Sequence, residues 1–203
     1  MRLPNFIIIG ASKAGTTTLY KYLCLHPQVY MCTPKEPEFF ASENDKNYTK
    51  GIDWYASLFS KAELHQVCGE ASGRYTHYPH FPEASERIAQ ILPRVKLIYI
   101  MRHPVERAYS HYAQHIKYNQ NIKHQFEVKE TFEENIARDS YVLDASNYMQ
   151  QIEQYLKFYS KEQFLFLLME DLIEQPADTL RQICSFIGVN NEGSSRVIMI
   201  NYL

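Results

Sequence analysis

No two of the four cysteines, Cys24, Cys32, Cys68 and Cys184, stand in a CxxC spacing, and no paired histidine pattern accompanies them. A zinc site and a disulfide framework are therefore disfavoured, and buried reduced thiols are expected. Charge of one sign is also not in excess: 21 Lys and Arg stand against 23 Asp and Glu, a formal charge of −2. That balance gives no bulk attraction to nucleic acid, so no nucleic-acid partner is expected. At the start of the chain the apolar run Phe6-Ile7-Ile8-Ile9 is cut short by Gly10 and Lys13. It is too brief for a secretory h-region or a membrane span, and a cytoplasmic protein without a membrane segment is expected. Repeats and low-complexity stretches are missing as well. What is present, 45% hydrophobic and 14% aromatic residues with 16 Tyr and 11 Phe, excludes disorder. The length of 203 residues suits a single domain over 1–203.

Apolar runs alternate with helical periods. The strand at Phe6–Ile9 leads to a helix predicted over Thr18–Leu25 and stopped by His26-Pro27. Residues 29–40 read as irregular, with Pro34 and Pro37 inside them. Further strands are predicted at Val67–Glu70, Val95–Met101 and Gln163–Met169. Further helices are predicted at Pro82–Leu92, Pro104–Tyr118, Ser146–Tyr159 and Ala177–Ile187, with Gly188 as the stop of the last. A short amphipathic segment begins at Gly51, and Asn44–Lys50 and Asn119–Lys129 read as polar surface loops. Strands alternating with helices argue for an α/β fold, a P-loop NTPase-like parallel sheet with helices on both faces.

The first strand runs into Gly10-Ala11-Ser12-Lys13-Ala14-Gly15-Thr16-Thr17-Thr18. Small residues let backbone amides approach an anion, Thr16 and Thr17 add hydroxyl donors, and Lys13 adds a point charge. In the nucleoside-triphosphate loop GxxxxGK[ST] the lysine follows the second glycine. Here that position is Thr16, and the lysine lies within the loop. A nucleotide phosphate other than that of ATP is the functional reading; a tight connection with a solvated lysine is the alternative. Arg102, just past the strand ending at Met101, sits where parallel sheets bind ligands, and Ser110 lies two turns into the next helix. A guanidinium and a hydroxyl there suit a second phosphate. The alternative is that Arg102 braces its helix through Glu106. His111 and His115 have metal-ligand spacing but no third ligand nearby, so an exposed helix face and no metal are expected. Glu36, with Lys35 and Glu38, reads on residues alone as a solvated charged turn.

Lys13-Ala14-Gly15-Thr16-Thr17, His26-Pro27, Lys35-Glu36-Pro37-Glu38-Phe39-Phe40, Gly51-Ile52-Asp53-Trp54-Tyr55 and Met101-Arg102-His103-Pro104 occur in that order. With Arg107-Ala108-Tyr109-Ser110-His111-Tyr112, they resemble the sulfotransferases that use 3′-phosphoadenosine 5′-phosphosulfate, in particular the branch containing heparan sulfate N- and 3-O-sulfotransferases. The resemblance extends to about Gly188. It implies a sulfuryl donor bound by Lys13, Ala14, Gly15, Thr16, Thr17 and Thr18 at its 5′-phosphosulfate and by Arg102 and Ser110 at its 3′-phosphate. It also implies Glu36 as the base, a glycan or small-molecule acceptor, and a region near Tyr148 close to the nucleotide. The lysine within the loop then stabilises the departing phosphate without Mg²⁺, where a kinase relies on the metal.

Two departures stand out. The heparan-modifying branch carries a lysine before the serine of its Glu-x-Ser segment, whereas this chain reads Glu70-Ala71-Ser72-Gly73-Arg74-Tyr75; Arg74 offers charge from another angle. The family's basic, glycine-containing loop that closes over the 3′-phosphate has no recognisable copy in Asn190–Leu203, which offers Gly193, Ser194, Ser195 and Arg196. A domain lacking that loop is the expectation. Two rival functions follow: a shortened, non-catalytic nucleotide binder, and a nucleotide kinase, which would want a lysine at position 16.

Overall fold

The computed structural model of the protein describes residues 1–121, 131–138 and 140–191. Five strands, β1 (Phe6–Gly10), β2 (Val29–Met31), β3 (Val67–Ala71), β4 (Lys96–Met101) and β5 (Phe164–Leu168), form one sheet in the order β2-β3-β1-β4-β5. Every neighbouring pair is parallel. Nine α-helices among the described residues connect or flank them: α1 (Thr16–Cys24), α2 (Gly51–Ser57), α3 (Ala84–Ile91), α4 (Pro104–Asn121), α5 (Phe132–Arg138), α6 (Tyr141–Asp144), α7 (Tyr148–Leu156), α8 (Met169–Glu174) and α9 (Pro176–Ile187).

β1 is central and buried along its whole length, which is why it reads as an unbroken apolar run instead of an alternating one. Its side chains divide between two cores. Phe6 and Ile8 join Leu19 and Leu23 of α1, Leu172 of α8 and Leu180 and Ile183 of α9. Ile7 and Ile9 join Tyr55 of α2, Ile88 of α3 and Tyr155 of α7. Helices thus cover both faces, as the alternation predicts. Each isoleucine so buried contributes about 1.5–3 kcal/mol before chain entropy is counted.

The connection from β1 moves outward to β2, whereas that from β3 crosses β1 to reach β4. A crevice therefore opens at the carboxyl ends of the strands around β1, where ligands bind in sheets of this kind.

Several boundaries differ from the sequence reading. α1 begins at Thr16, two residues early, because Gly15 takes a left-handed conformation (φ 93°) and turns the chain directly into the helix. Val29–Met31 is an edge strand inside a segment read as irregular; three residues before two prolines carry too little period to be seen. α4 continues through Asn121, so the polar stretch from Asn119 begins as helix and its remainder lies outside the described residues. The helix expected from Ser146 starts at Tyr148, with Asn147 as its cap. Gly188, at φ 83°, ends α9 as expected. Gly193, Ser194, Ser195 and Arg196 lie outside the described residues, and so does the segment on which the expected lack of a closing loop bears. Among the described residues no helix is long and apolar enough to cross a membrane.

Candidate active site

At the carboxyl ends of the strands lies a cleft of about 640 Å³, and every strand contributes to its wall. The segment after β1 supplies Ser12, Lys13, Gly15, Thr16 and Thr17; that after β2 supplies Lys35, Glu36 and Glu38; that after β3 supplies Arg74 and His77. Arg102 follows β4, with Ser110, His111, Gln114 and His115 further along α4, and Tyr141 and Met169 complete the lining. The structure thereby brings together Lys13, Gly15, Thr16, Thr17, Glu36, Arg102 and Ser110. Two others are placed apart. The Ala14 side chain is packed in the core and its amide is held by the Ala11 carbonyl at 3.1 Å, while Thr18 is exposed and does not line the cleft.

The amino end of α1 faces this cleft with no side chain capping it. Its first N–H groups have no partner within the helix, and the helix dipole adds partial positive charge there. Lys13 precedes it in a left-handed conformation, φ 69°. Burial lowers the Lys13 ammonium below its ordinary range; Glu36 pulls it back up, and Lys117, Arg102 and Lys35 depress it further. Several cations around one helix terminus is what a ligand of multiple negative charge requires.

Ser12 fixes the shape of this loop. Its carbonyl accepts from Arg107 at 3.2 Å, its hydroxyl meets His77 Nε2 at 3.1 Å, and Gly73 packs so close that a Cβ there would lie 2.5 Å from Ser12 Oγ. Arg107 is wholly buried and also donates to Ser146 Oγ at 2.6 Å and to the Val142 carbonyl.

Arg102 is held from two sides. Its guanidinium pairs with Glu106 at 3.0 Å, the bracing contact that the sequence offered as an alternative, yet the same side chain borders the cleft. Its backbone is gripped by Tyr148, whose hydroxyl donates to the Arg102 carbonyl at 2.6 Å and accepts from the Arg102 amide at 3.3 Å. Tyr148 therefore serves Arg102.

Glu36 pairs with Lys35, and its amide donates to the Ala71 carbonyl at 3.0 Å. Glu36 and Glu38 are both left-handed, at φ 57° and 49°. Strain of this sort in two non-glycine residues so close together persists only where the surroundings enforce it. Glu38 is paired with Arg74 at 2.9 Å, so the arginine noted in place of the missing lysine does reach the cleft.

The histidines differ from expectation. Instead of an exposed face, His111 is buried, its ring is 4.8 Å from that of His115, and Tyr141 packs against both His77 (4.7 Å) and His111 (5.7 Å). Among the described residues no group of three or more His, Cys, Asp or Glu is arranged to hold a metal. Ser12, Lys35, Gln114, Tyr141 and Met169 were not singled out from sequence. Two of them left a signal there: Ser12 inside the glycine-bounded loop, and Lys35 beside Glu36 in a recognisable motif.

A family model described as a sulfotransferase domain matches residues 3–202. The human bifunctional heparan sulfate N-deacetylase/N-sulfotransferase 3 is 31% identical over 202 residues, covering 93% of this chain and 22% of that protein. Human heparan sulfate glucosamine 3-O-sulfotransferase 6 is 31% identical over 191 residues, covering 93% of this chain and 53% of that protein. The chain thus spans less than two thirds of the length of these relatives. Among solved structures, a sulfotransferase from Alicyclobacillus acidocaldarius superposes with a TM-score of 0.80 at 28% identity, covering 95% of this chain and 83% of that one.

Proposed function

The chain belongs to the sulfotransferase domain family, and from that premise we propose that it moves a sulfuryl group from 3′-phosphoadenosine 5′-phosphosulfate to a hydroxyl or amine of a glycan. The observation that carries this reading is the convergence in one cleft of an uncapped helix terminus with Lys13, a second cation at Arg102 with Ser110, and the carboxylate of Glu36. A donor with phosphate at both ends of its ribose needs two anion sites. The third element is what an acceptor needs to lose its proton.

In the reaction the acceptor oxygen or nitrogen attacks sulfur in line, and the bond from sulfur to the 5′-phosphate oxygen breaks. Glu36 takes the acceptor's proton. Lys13 and the N–H groups at the start of α1 stabilise the charge that collects on the departing phosphate, with Thr16 and Thr17 orienting it. Arg102 and Ser110 hold the 3′-phosphate and so fix the donor's reach. Lys35 pairs with one oxygen of Glu36, Oε1, which leaves the other oxygen to take the proton.

Similarity to the heparan-modifying enzymes over 93% of the chain favours an amino-sugar glycan as acceptor. Arg74, on the cleft wall, supplies positive charge where that branch uses a lysine. The test is calorimetric titration with adenosine 3′,5′-bisphosphate, followed by transfer of radiolabelled sulfuryl to N-desulfated heparan sulfate. Lys13→Ala and Glu36→Gln should both abolish transfer, while Arg102→Ala should chiefly weaken nucleotide binding. Full turnover by Glu36→Gln removes the base assignment. No binding of the bisphosphate by the folded protein removes the donor assignment.

A further inference from the structure

Directly behind the loop that carries Glu36 lies a carboxylate with no part in the chemistry above. Glu70, at the end of β3, is 0% exposed. Three hydroxyls donate to it: Tyr75 Oη at 2.6 Å, Ser72 Oγ at 2.8 Å, and Tyr55 Oη. Two of these oxygens also face the loop. Ser72 Oγ accepts the Glu38 amide at 3.2 Å, and Tyr75 Oη accepts the Phe40 amide at 3.4 Å.

The direction of these bonds is the important point. A hydroxyl has one proton, and an ionised carboxylate can only accept. With all three protons drawn to Glu70, the lone pairs of Ser72 and Tyr75 are left for the loop amides. The left-handed turns at Glu36 and Glu38 are then held by alternate amides of the loop: Glu36 on the Ala71 carbonyl, Glu38 on Ser72 and Phe40 on Tyr75. Ser72 and Tyr75 both donate to Oε1 of Glu70 and Tyr55 to Oε2, so an amide that keeps its oxygen at the Oε1 place retains both loop anchors. An apolar methionine leaves the Ser72 and Tyr75 protons without their acceptor, free to turn towards the amide N–H groups and break the anchors.

We propose that Glu70 is a positioning residue for sulfuryl transfer, aiming the Glu36 carboxylate by setting the polarity of the Ser72 and Tyr75 hydroxyls that pin its loop. The proposal rests on Glu36 being the base. Tyr55 supplies an internal control, because its hydroxyl meets the same carboxylate but anchors no loop amide.

Amide exchange read by mass spectrometry requires no acceptor. Glu70→Met should speed exchange across residues 35–40 by about tenfold, the factor expected from losing one net hydrogen bond, and leave residues 10–18 unchanged. Its kcat towards N-desulfated heparan sulfate should fall on the order of 10²-fold, with affinity for adenosine 3′,5′-bisphosphate kept within about twofold. Tyr55→Phe should lower the melting temperature yet alter neither loop exchange nor kcat. Should Glu70→Met not fold, Ser72→Ala removes the Glu38 anchor together with one of the three bonds to Glu70 and carries the same expectation. Unchanged exchange in residues 35–40 overturns the proposal; so does a kcat loss that follows melting temperature equally in both Glu70→Met and Tyr55→Phe. If Glu36→Gln turns over normally, it is the base assignment that fails, and loop exchange still decides whether Glu70 anchors this segment.

Discussion

The hydroxyl of Tyr148 holds both backbone polar groups of Arg102, donating to its carbonyl at 2.6 Å and accepting from its amide at 3.3 Å. A residue on α7 thereby sets where the β4 strand releases its arginine. Tyr148→Phe keeps the ring and removes both bonds. Affinity for adenosine 3′,5′-bisphosphate should drop by about 1 kcal/mol, roughly fivefold, as read by calorimetry. Unaltered affinity would show that β4 alone positions Arg102.

Gly73 is tested by adding a single methyl. Its Cβ would stand 2.5 Å from Ser12 Oγ and 3.2 Å from Ser12 Cα, and that backbone belongs to the anion loop. Gly73→Ala should push Ser12 away and weaken bisphosphate binding by about tenfold or more. The fold should persist, since the affected contact lies at the cleft and not between the sheet and its helices.

Loss of Arg107 should be costly in another way. Its guanidinium serves the Ser12 and Val142 carbonyls and the Ser146 hydroxyl from a fully buried position. Arg107→Met approximates the volume and leaves those acceptors without a donor. A loss on the order of 3 kcal/mol in urea unfolding is expected. A loss below about 0.5 kcal/mol would show that these groups find other partners.

His77 gives a signature in pH. Burial holds its imidazole well below the ordinary histidine range, with His111, Arg107, Arg74 and His80 acting in the same direction. The unfolded chain therefore binds a proton below about pH 6.5 that the folded chain refuses. Stability is full above that pH and is lost as pH falls, by at most about 1.4 kcal/mol per unit from this group. His77→Gln should flatten the denaturation profile between about pH 6.5 and 5 by that slope. An unchanged profile would mean that His77 protonates in place.

The sequence makes the donor side of the site legible for a physical reason. An apolar run that ends in small residues and a left-handed glycine forces strand, loop and helix into one geometry, so Lys13, Thr16 and Thr17 follow from local rules. Arg102 is legible for a similar reason, since it sits one residue past the clearest strand. His77 and Tyr141 were not visible as site residues because nothing near them in sequence requires what happens to them in space: they meet across separate connections. The pairing of Lys35 with Glu36 depends on the left-handed backbone at Glu36, which hydrogen bonds from β3 enforce and no propensity predicts. Tyr148 could be read as touching the nucleotide or as core packing; it packs against the core, and its hydroxyl also grips a backbone 46 residues away, which no local pattern signals.

All five strands send residues to the cleft, each through a different connection. Both anion sites and the carboxylate fall within residues 13–110, yet the cleft they share is walled in part by Met169, which follows β5. Competence to bind the bisphosphate therefore arises with closure of the whole sheet, and the ligand doubles as a reporter of completed folding. A single proteolytic cut that frees β5 from β4 should silence binding even though Lys13, Glu36 and Arg102 all lie on the other side of the cut.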